Sequence, residues 1–171
     1  MASPEVAGPR RAGDRYWKRP IRFHCEGTEE DEREHIALWN SIVGNDELVL
    51  YVGDFCDGNF VDLEYLHHRL NGRKILIKGN HDMIGDEWYR EMFEEVVDEK
   101  SIDELNLRLI HIREALTNRR PDERVIYGHE HNYEEQPLTT SDSICVCAKW
   151  HEWKPISLAE AIRQMDAAER M

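Results

Sequence analysis

Long apolar runs are missing from this sequence. No stretch of its 171 residues approaches the roughly 20 apolar residues that a membrane-spanning helix needs, and the N-terminus lacks the apolar core of a signal peptide. We therefore expect a cytoplasmic protein that is neither membrane-embedded nor secreted. The four cysteines form no CxxC pair, and at this chain length we predict reduced thiols rather than a disulfide framework.

Basic residues are in the minority. The sequence has 22 lysines and arginines against 35 aspartates and glutamates, which gives a formal net charge of -13. A surface that grips a nucleic-acid backbone is usually basic, so we expect no non-specific binding to duplex nucleic acid. An acidic protein can still bind a phosphate ester where metal ions supply the positive charge locally.

Strand-forming residues are scarce at the start of the chain, and no strand is predicted before residue 47. Residues 1–20 are rich in proline, glycine, alanine and arginine, so we predict a basic, flexible N-terminal arm. A docking arm for an acidic partner is the alternative. Residues 21–171 have the length and composition of one domain with a sizeable core.

Helical and strand patterns alternate along this domain. The predicted helices cover residues 28–43, 62–70, 86–97 and 157–168. The predicted strands cover residues 48–52, 75–77, 105–109, 124–127 and 143–149. The start of the last helix is marked by Ser157 and Glu160, which together form a capping box. The alternation of the two patterns indicates an α/β fold.

Three of the predicted strands end in a glycine that is followed at once by polar side chains. The three turns are Gly53-Asp54, Gly79-Asn80-His81-Asp82 and Gly128-His129-Glu130-His131. Glycine permits a sharp turn, and open α/β sheets place their ligand crevice at the carboxyl ends of strands. We therefore expect these turns to form one site.

Carboxylate, amide and imidazole groups are the candidate ligands of this site. The predicted metal ligands are Asp54, Asn80, His111, His129 and His131. Such a mixture suits Mn, Fe or Zn better than Ca or Mg, which prefer oxygen ligands. His81 directly follows a predicted ligand, so we expect it to contact a substrate oxygen and to act as general acid. Asp82, also assigned to the catalytic group, orients either the His81 imidazole or its own loop.

The three turns resemble the GD, GNH(D/E) and GHxH blocks of the calcineurin-like metallophosphoesterases. The segments LNGRKILIKGNHD (residues 70–82) and WKPISL (residues 153–158) look most similar to small bacterial and phage members of that family. The resemblance covers about residues 21–160. It implies a four-layer α/β/β/α sandwich with two metal ions at one end.

The resemblance also implies a role for each residue of the site. Asp54 resembles the carboxylate that bridges the two metals. Asn80, His111 and His129 resemble the remaining protein ligands of one metal, and His131 resembles a ligand of the other. His81 resembles the conserved acid that serves the leaving oxygen.

One block of the family is missing. The family opens with a strand that ends in Asp-x-His, and this sequence has neither the strand nor the block near its start. Asp14-Arg15-Tyr16 resembles a remnant with tyrosine in the histidine position. His24 and His35 are other nearby donors, although we expect His35 to lie on a helix and to face solvent. The second metal site is therefore incomplete, and the sheet has a gap or edge that makes a homodimer plausible.

These observations favour a metal-dependent phosphoesterase that hydrolyses phosphodiesters rather than monoesters. A metal-bound hydroxide would attack phosphorus while His81 serves the leaving group, and the incomplete site would weaken the activity. We expect one or two divalent ions per chain, Mn²⁺ first and Fe, Zn or Ni as alternatives, and a phosphate-ester substrate such as a nucleotide. The alternatives are a degenerate relative that binds metal or nucleotide without hydrolysis, and an interaction protein.

Overall fold

The computed structural model describes residues 29–56, 60–130 and 139–170. The helices in these ranges are α1 (Glu29–Ile42), α2 (Phe60–Arg69), α3 (Asp86–Met92) and α4 (Leu158–Ala168). The strands are β1 (Leu48–Val52), β2 (Arg73–Ile77), β3 (Glu95–Val97), β4 (Glu99–Ile102), β5 (Leu107–Ile110), β6 (Arg124–Tyr127) and β7 (Ser143–Cys145). The predicted N-terminal arm, residues 1–20, lies outside the described residues.

The strands form two sheets. The first has the order β1-β2-β3 and is entirely parallel, with Val52 opposite Ile77 at the carboxyl ends of β1 and β2. The second has the order β4-β5-β6-β7, in which β4 is antiparallel to β5 and the other pairs are parallel. Among the described residues, β1 is paired on one edge only. The expected α/β class is confirmed, with one parallel and one mixed sheet.

Apolar side chains fill three clusters on the faces of the sheets. One cluster lies between α1, α2 and α3 and the first sheet, and its largest fully buried members include Tyr89, Phe55 and Leu66. A second joins Ile77 of the first sheet to Leu109 of the second, and α4 contributes to it. A third covers the other face of the second sheet. The two sheets thus share one core, and this shared core holds their carboxyl ends in fixed positions.

The predicted helix over residues 86–97 is wrong at its C-terminal end. Helix α3 stops at Met92, and the chain then forms β3 parallel to β2. The Glu94 N–H donates to the Lys74 carbonyl oxygen at 2.9 Å, and the Lys78 N–H donates to the Val97 carbonyl oxygen at 2.8 Å. The β-branched valines of this segment favour a strand, and pairing with β2 outweighs the helical spacing of the apolar residues.

Two further differences concern the second sheet. The predicted strand over residues 143–149 ends at Cys145, because the chain turns into a 3₁₀ segment, Ala148–His151, in which the Trp150 N–H bonds the Cys147 carbonyl. Strand β4 was not predicted, since it is a short edge strand without clear alternation of apolar and polar residues. Only the Ser157 half of the predicted capping box is confirmed: Ser157 Oγ accepts from the Glu160 N–H at 3.1 Å, while the Glu160 carboxylate accepts from the Arg163 and Gln164 side chains.

Lys74 is a buried cation that joins α2 to β2. The residue is only 3% exposed, and its Nζ donates to the carbonyl oxygens of His67, Leu70 and Gly72. Carbonyl groups at a helix C-terminus lack intrahelical partners and carry partial negative charge, so a cation stabilises them. Burial lowers the pKa of Lys74.

No helix in the described ranges is long and apolar enough to cross a membrane.

Candidate metal site

The carboxyl ends of three strands bring three potential ligands together. Asp54 follows β1, His111 follows β5 and His129 follows β6, so the first comes from one sheet and the other two come from the second. One ligand atom of each residue lies within 4.8 Å of the corresponding atoms of the others. His111 is 3% exposed, while Asp54 and His129 are half-buried.

His111 is at the centre of this group. Its Nδ1 lies 2.9 Å from the Val52 carbonyl oxygen, which can only accept, so Nδ1 carries the proton in the neutral imidazole. Its Nε2 then presents a lone pair to Asp54 Oδ2 at 3.1 Å, to Asn80 Oδ1 at 3.1 Å and to His129 Nδ1 at 3.3 Å. Lone pairs that converge at such distances repel one another unless a proton or a cation lies among them.

The pKa shifts of Asp54 and His111 show which charges this geometry favours. Burial alone would raise the pKa of Asp54, but hydrogen bonds from His111 and from the His81 N–H lower it overall. Burial alone would lower the pKa of His111, but its contacts with Asp54 and Val52 raise it overall. The site therefore stabilises a carboxylate together with positive charge at its centre.

The backbone is strained at two of the three candidate ligands. Asp54 has a φ of 53° and His129 a φ of 65°, which is the left-handed region. This conformation costs a residue with a Cβ atom roughly 1–2 kcal/mol. Strain of this kind persists where the surrounding structure imposes it and is concentrated at functional sites. Both side chains are thus aimed into the site at the expense of local stability.

The predicted glycine turns are required by close approach of the chain. Gly53 has a φ of 81°, and a Cβ atom there would lie 2.1 Å from His111 Nδ1. A Cβ atom at Gly79 would lie 2.2 Å from Asp54 Oδ1 and 2.4 Å from its backbone nitrogen. These residues must therefore be glycine for the ligands to meet.

Asp82 braces the loops that carry the ligands. Its carboxylate accepts from the N–H groups of Gly79 and Asp54 through Oδ2, at 2.8 and 2.9 Å. It accepts from Phe55 and Cys56 through Oδ1, at 2.8 and 3.3 Å. Burial raises the pKa of Asp82, and the hydrogen bonds from Gly79, Cys56 and Phe55 oppose that shift. Of the two roles expected for Asp82, the contacts show the second, in which it orients its loop.

The other predicted site residues lie beside this group, away from it, or outside the described residues. The His81 N–H donates to Asp54 Oδ1 at 2.9 Å, which holds the half-buried His81 beside the group. His35 was expected to face solvent, and this is wrong, because it is half-buried and its ring stacks on Trp153 with centroids 4.5 Å apart. The predicted ligand His131 and the alternative donors Asp14 and His24 lie outside the described residues.

Sequence reasoning missed the groups that hold His129 in place. The Trp150 indole N–H donates to the Glu130 carbonyl oxygen at 2.5 Å, and Cys145 Sγ donates to the Gly128 carbonyl oxygen at 3.6 Å. These two bonds fix the backbone on both sides of His129. Only the parallel pairing of β6 with β7 reveals them, and the sequence gives no local signal for that register.

Comparisons with known proteins support the fold and assign no activity. No family model matches the chain. The uncharacterized protein MJ1445 of Methanocaldococcus jannaschii is 27% identical over 150 residues, which cover 84% of this chain and 78% of that protein. The crystal structure of AQ665, a protein of unknown function from Aquifex aeolicus, has a TM-score of 0.58 at 24% identity and covers 80% of this chain and 86% of its own. The structural likeness bears on the fold alone.

The bracing role of Asp82 predicts a loss of stability in Asp82→Asn. The asparagine can accept through one terminal oxygen only, and its amino group faces backbone donors that it cannot satisfy. We expect the free energy of unfolding to fall by about 1–3 kcal/mol in urea denaturation. The exposed Asp98 provides the matched control, Asp98→Asn, which should leave the value unchanged. Equal stability of the two variants would contradict the role.

The close approach at Gly79 predicts a steric cost for Gly79→Ala. The added methyl group must displace Asp54, including its backbone, and we expect a loss of about 1–3 kcal/mol in the free energy of unfolding. Gly44→Ala is the control, because a Cβ atom there makes an ordinary contact of 3.5 Å with Glu47. Unfolding of both variants at the same urea concentration would contradict the close approach between Gly79 and Asp54.

Proposed function

We propose that this protein is a metal-dependent phosphoesterase that acts on phosphodiesters. The observation that carries the proposal is the convergence at His111 Nε2 of three atoms with lone pairs, in a buried position at the carboxyl ends of the strands. An ordinary salt bridge requires only the contact between His111 and Asp54. A divalent cation would use the contacts with Asp54, Asn80 and His129 together.

The donor set fits a divalent transition metal. Asp54 offers a carboxylate oxygen, Asn80 an amide oxygen, and His111 and His129 offer imidazole nitrogens. This combination suits Mn²⁺, with Fe, Zn or Ni as alternatives, better than Ca²⁺ or Mg²⁺. The bond from His111 Nδ1 to the Val52 carbonyl orients the ring as the outer partner of a ligating histidine does. When bound, the cation would supply Lewis acidity toward a phosphoryl oxygen and lower the pKa of a water molecule.

The arrangement of the sheets supports a finer description of the fold. The shared core between the sheets, with α1, α2 and α3 on the far side of the first, fits the two inner layers and one outer layer of an α/β/β/α sandwich. This is the architecture that the resemblance to metallophosphoesterases implies. We therefore propose the four-layer arrangement for this chain.

His81 is the proposed general acid. It follows Asn80 on the same loop, its backbone is tied to Asp54, and its imidazole is near enough to that carboxylate to lower its pKa. In the proposed reaction a water molecule releases one proton to solvent and its oxygen bonds to phosphorus, the ester P–O bond breaks, and the leaving oxygen takes a proton from His81, which solvent then restores. A second cation, if one binds, would use His131, and the chain would then hold two.

Hydrolysis of bis-p-nitrophenyl phosphate with added Mn²⁺ tests the proposal. We expect activity in the wild-type protein that is lost on chelation and is reduced at least about 100-fold in Asp54→Ala, because that change removes a ligand and the partner of His111. The exposed Asp98 again supplies a control, since Asp98→Ala removes a carboxylate and leaves the whole site unchanged. Mn²⁺-independent turnover, or turnover that survives in Asp54→Ala, would contradict the proposal.

A comparison of two leaving groups in the same assay distinguishes proton transfer by His81 from substrate binding by His81. General acid catalysis contributes about 100- to 10,000-fold, and its contribution grows as the leaving group becomes more basic. His81→Ala should therefore slow hydrolysis of an alkyl phosphodiester more than that of bis-p-nitrophenyl phosphate. His68→Ala, on the exposed side of α2, is the matched control. An equal loss on both substrates would assign His81 to binding rather than to proton transfer.

A further inference from the structure

Two exposed apolar side chains lie on the segment that follows His81. Met83 is 82% exposed and Trp88 is 38% exposed, which sets both apart from the mostly buried large apolar side chains of the described ranges. The Met83 N–H donates to the His81 carbonyl oxygen at 2.9 Å, so the backbone of Met83 directly adjoins that of the proposed general acid. The exposed apolar surface therefore begins beside the candidate site.

Phe60 joins this surface from another helix. It is the first residue of α2, while Trp88 lies in the first turn of α3, and the two ring centroids are 4.3 Å apart with the planes tilted by 47°. Because of the tilt the rings do not cover each other face to face, and Trp88 stays exposed despite the contact. We call Phe60, Met83 and Trp88 the apolar ledge. Single exposed apolar residues are ordinary, whereas several together beside a candidate site indicate contact with a ligand.

The brace at Asp82 holds the apolar ledge next to the site. Its carboxylate bonds the N–H groups of residues 54–56, on the chain that leads to α2, and of Gly79, on the chain that leads to α3. Tyr89, the neighbour of Trp88, is fully buried, and its pKa is raised by burial and then by the nearby Asp82 carboxylate. The ledge thus extends from the two loops that carry Asp54 and His81.

The charges and the size of the apolar ledge indicate what kind of group it takes. Asp86 and the exposed Glu87 directly precede Trp88, and Asp86 is already paired with Lys78 and Arg90. A nucleic-acid strand would bring further phosphate groups, which these carboxylates repel. A stable protein interface buries roughly 800 Å² per partner, far more than three side chains offer. A neutral planar ring of a small molecule meets both limits.

We propose that the apolar ledge binds the nucleobase of a nucleoside phosphate whose phosphate group lies at the candidate metal site. Aromatic rings stack on every base, and a flexible methionine adapts to the edge of a ring. Because the ledge adjoins His81, the base belongs to the leaving group, and the substrate is a nucleoside phosphodiester. This last step rests on the proposed phosphoesterase function, whereas the binding of a base does not.

Calorimetric titration of the full chain with AMP and with ribose 5-phosphate, both in the presence of Mn²⁺, tests the proposal. The two probes differ only in the base, so the ratio of their affinities measures the contact with the base. We expect AMP to bind at least about tenfold more tightly, as stacking of one base allows. Trp88→Ala should lower the ratio to about two without weakening ribose 5-phosphate, and Trp88→Phe should retain most of it. Leu105→Ala removes a similarly exposed apolar side chain after β4 and should leave the ratio unchanged.

A second measurement separates the apolar ledge from the metal site. Adenosine carries no phosphate, and we expect it to shift the Trp88 indole N–H resonance of the metal-free chain, whereas ribose should not. The resonance is assigned by its absence from the spectrum of Trp88→Phe. A base preference without hydrolysis would reject the phosphoesterase and support the ledge. Hydrolysis without a base preference would support the phosphoesterase and reject the ledge.

Three results would overturn the proposal. The first is equal affinity of the wild type for AMP and ribose 5-phosphate, or no measurable binding of either. The second is a ratio that persists in Trp88→Ala, which would place the base elsewhere. The third is a Trp88 resonance that adenosine leaves unmoved. If circular dichroism shows that Trp88→Ala does not fold, Met83→Asp serves the same comparison, because Met83 is 82% exposed and a carboxylate there would border the ring.

Discussion

The hydrogen bond from His111 Nδ1 to the Val52 carbonyl oxygen is the contact on which the rest of the site depends. It joins the end of β5 in the second sheet to the end of β1 in the first, at 2.9 Å. Because it fixes the position of the ring proton, it turns Nε2 toward Asp54, Asn80 and His129. The shared core between the sheets holds both ends of this bond, so the packing of the domain determines the geometry of the site.

Several costs elsewhere in the chain follow from this geometry. Two candidate ligands, Asp54 and His129, adopt left-handed backbone conformations, and the turns at Gly53 and Gly79 have no room for a side chain. Asp82 offsets part of the cost, since one buried carboxylate satisfies four backbone N–H groups of two loops. Strain and close approach that are compensated by a buried brace are typical of a site kept for function rather than for stability.

The sequence predicted the parts of the fold and site that depend on local pattern. The apolar runs gave β1 and β6 their observed bounds, and the glycine turns indicated Asp54 and His129. It failed where tertiary contacts decide: β3 forms because β2 offers an edge to pair with, and His35 is half-buried because Trp153, more than a hundred residues later, lies against it. The sequence also left open whether Asp82 orients the His81 imidazole or its own loop, and only the contacts of its carboxylate distinguish the two roles.

The most direct test of a cation site at His111 is a calorimetric titration of the metal-free protein with Mn²⁺. We expect the wild-type chain to bind Mn²⁺ and His111→Ala to bind it at least about tenfold more weakly, while the exposed-surface variant His68→Ala binds as the wild type does. Circular dichroism establishes that each variant is folded. Equal affinity of His111→Ala and wild type, or no binding by the wild type, would contradict a cation site at His111.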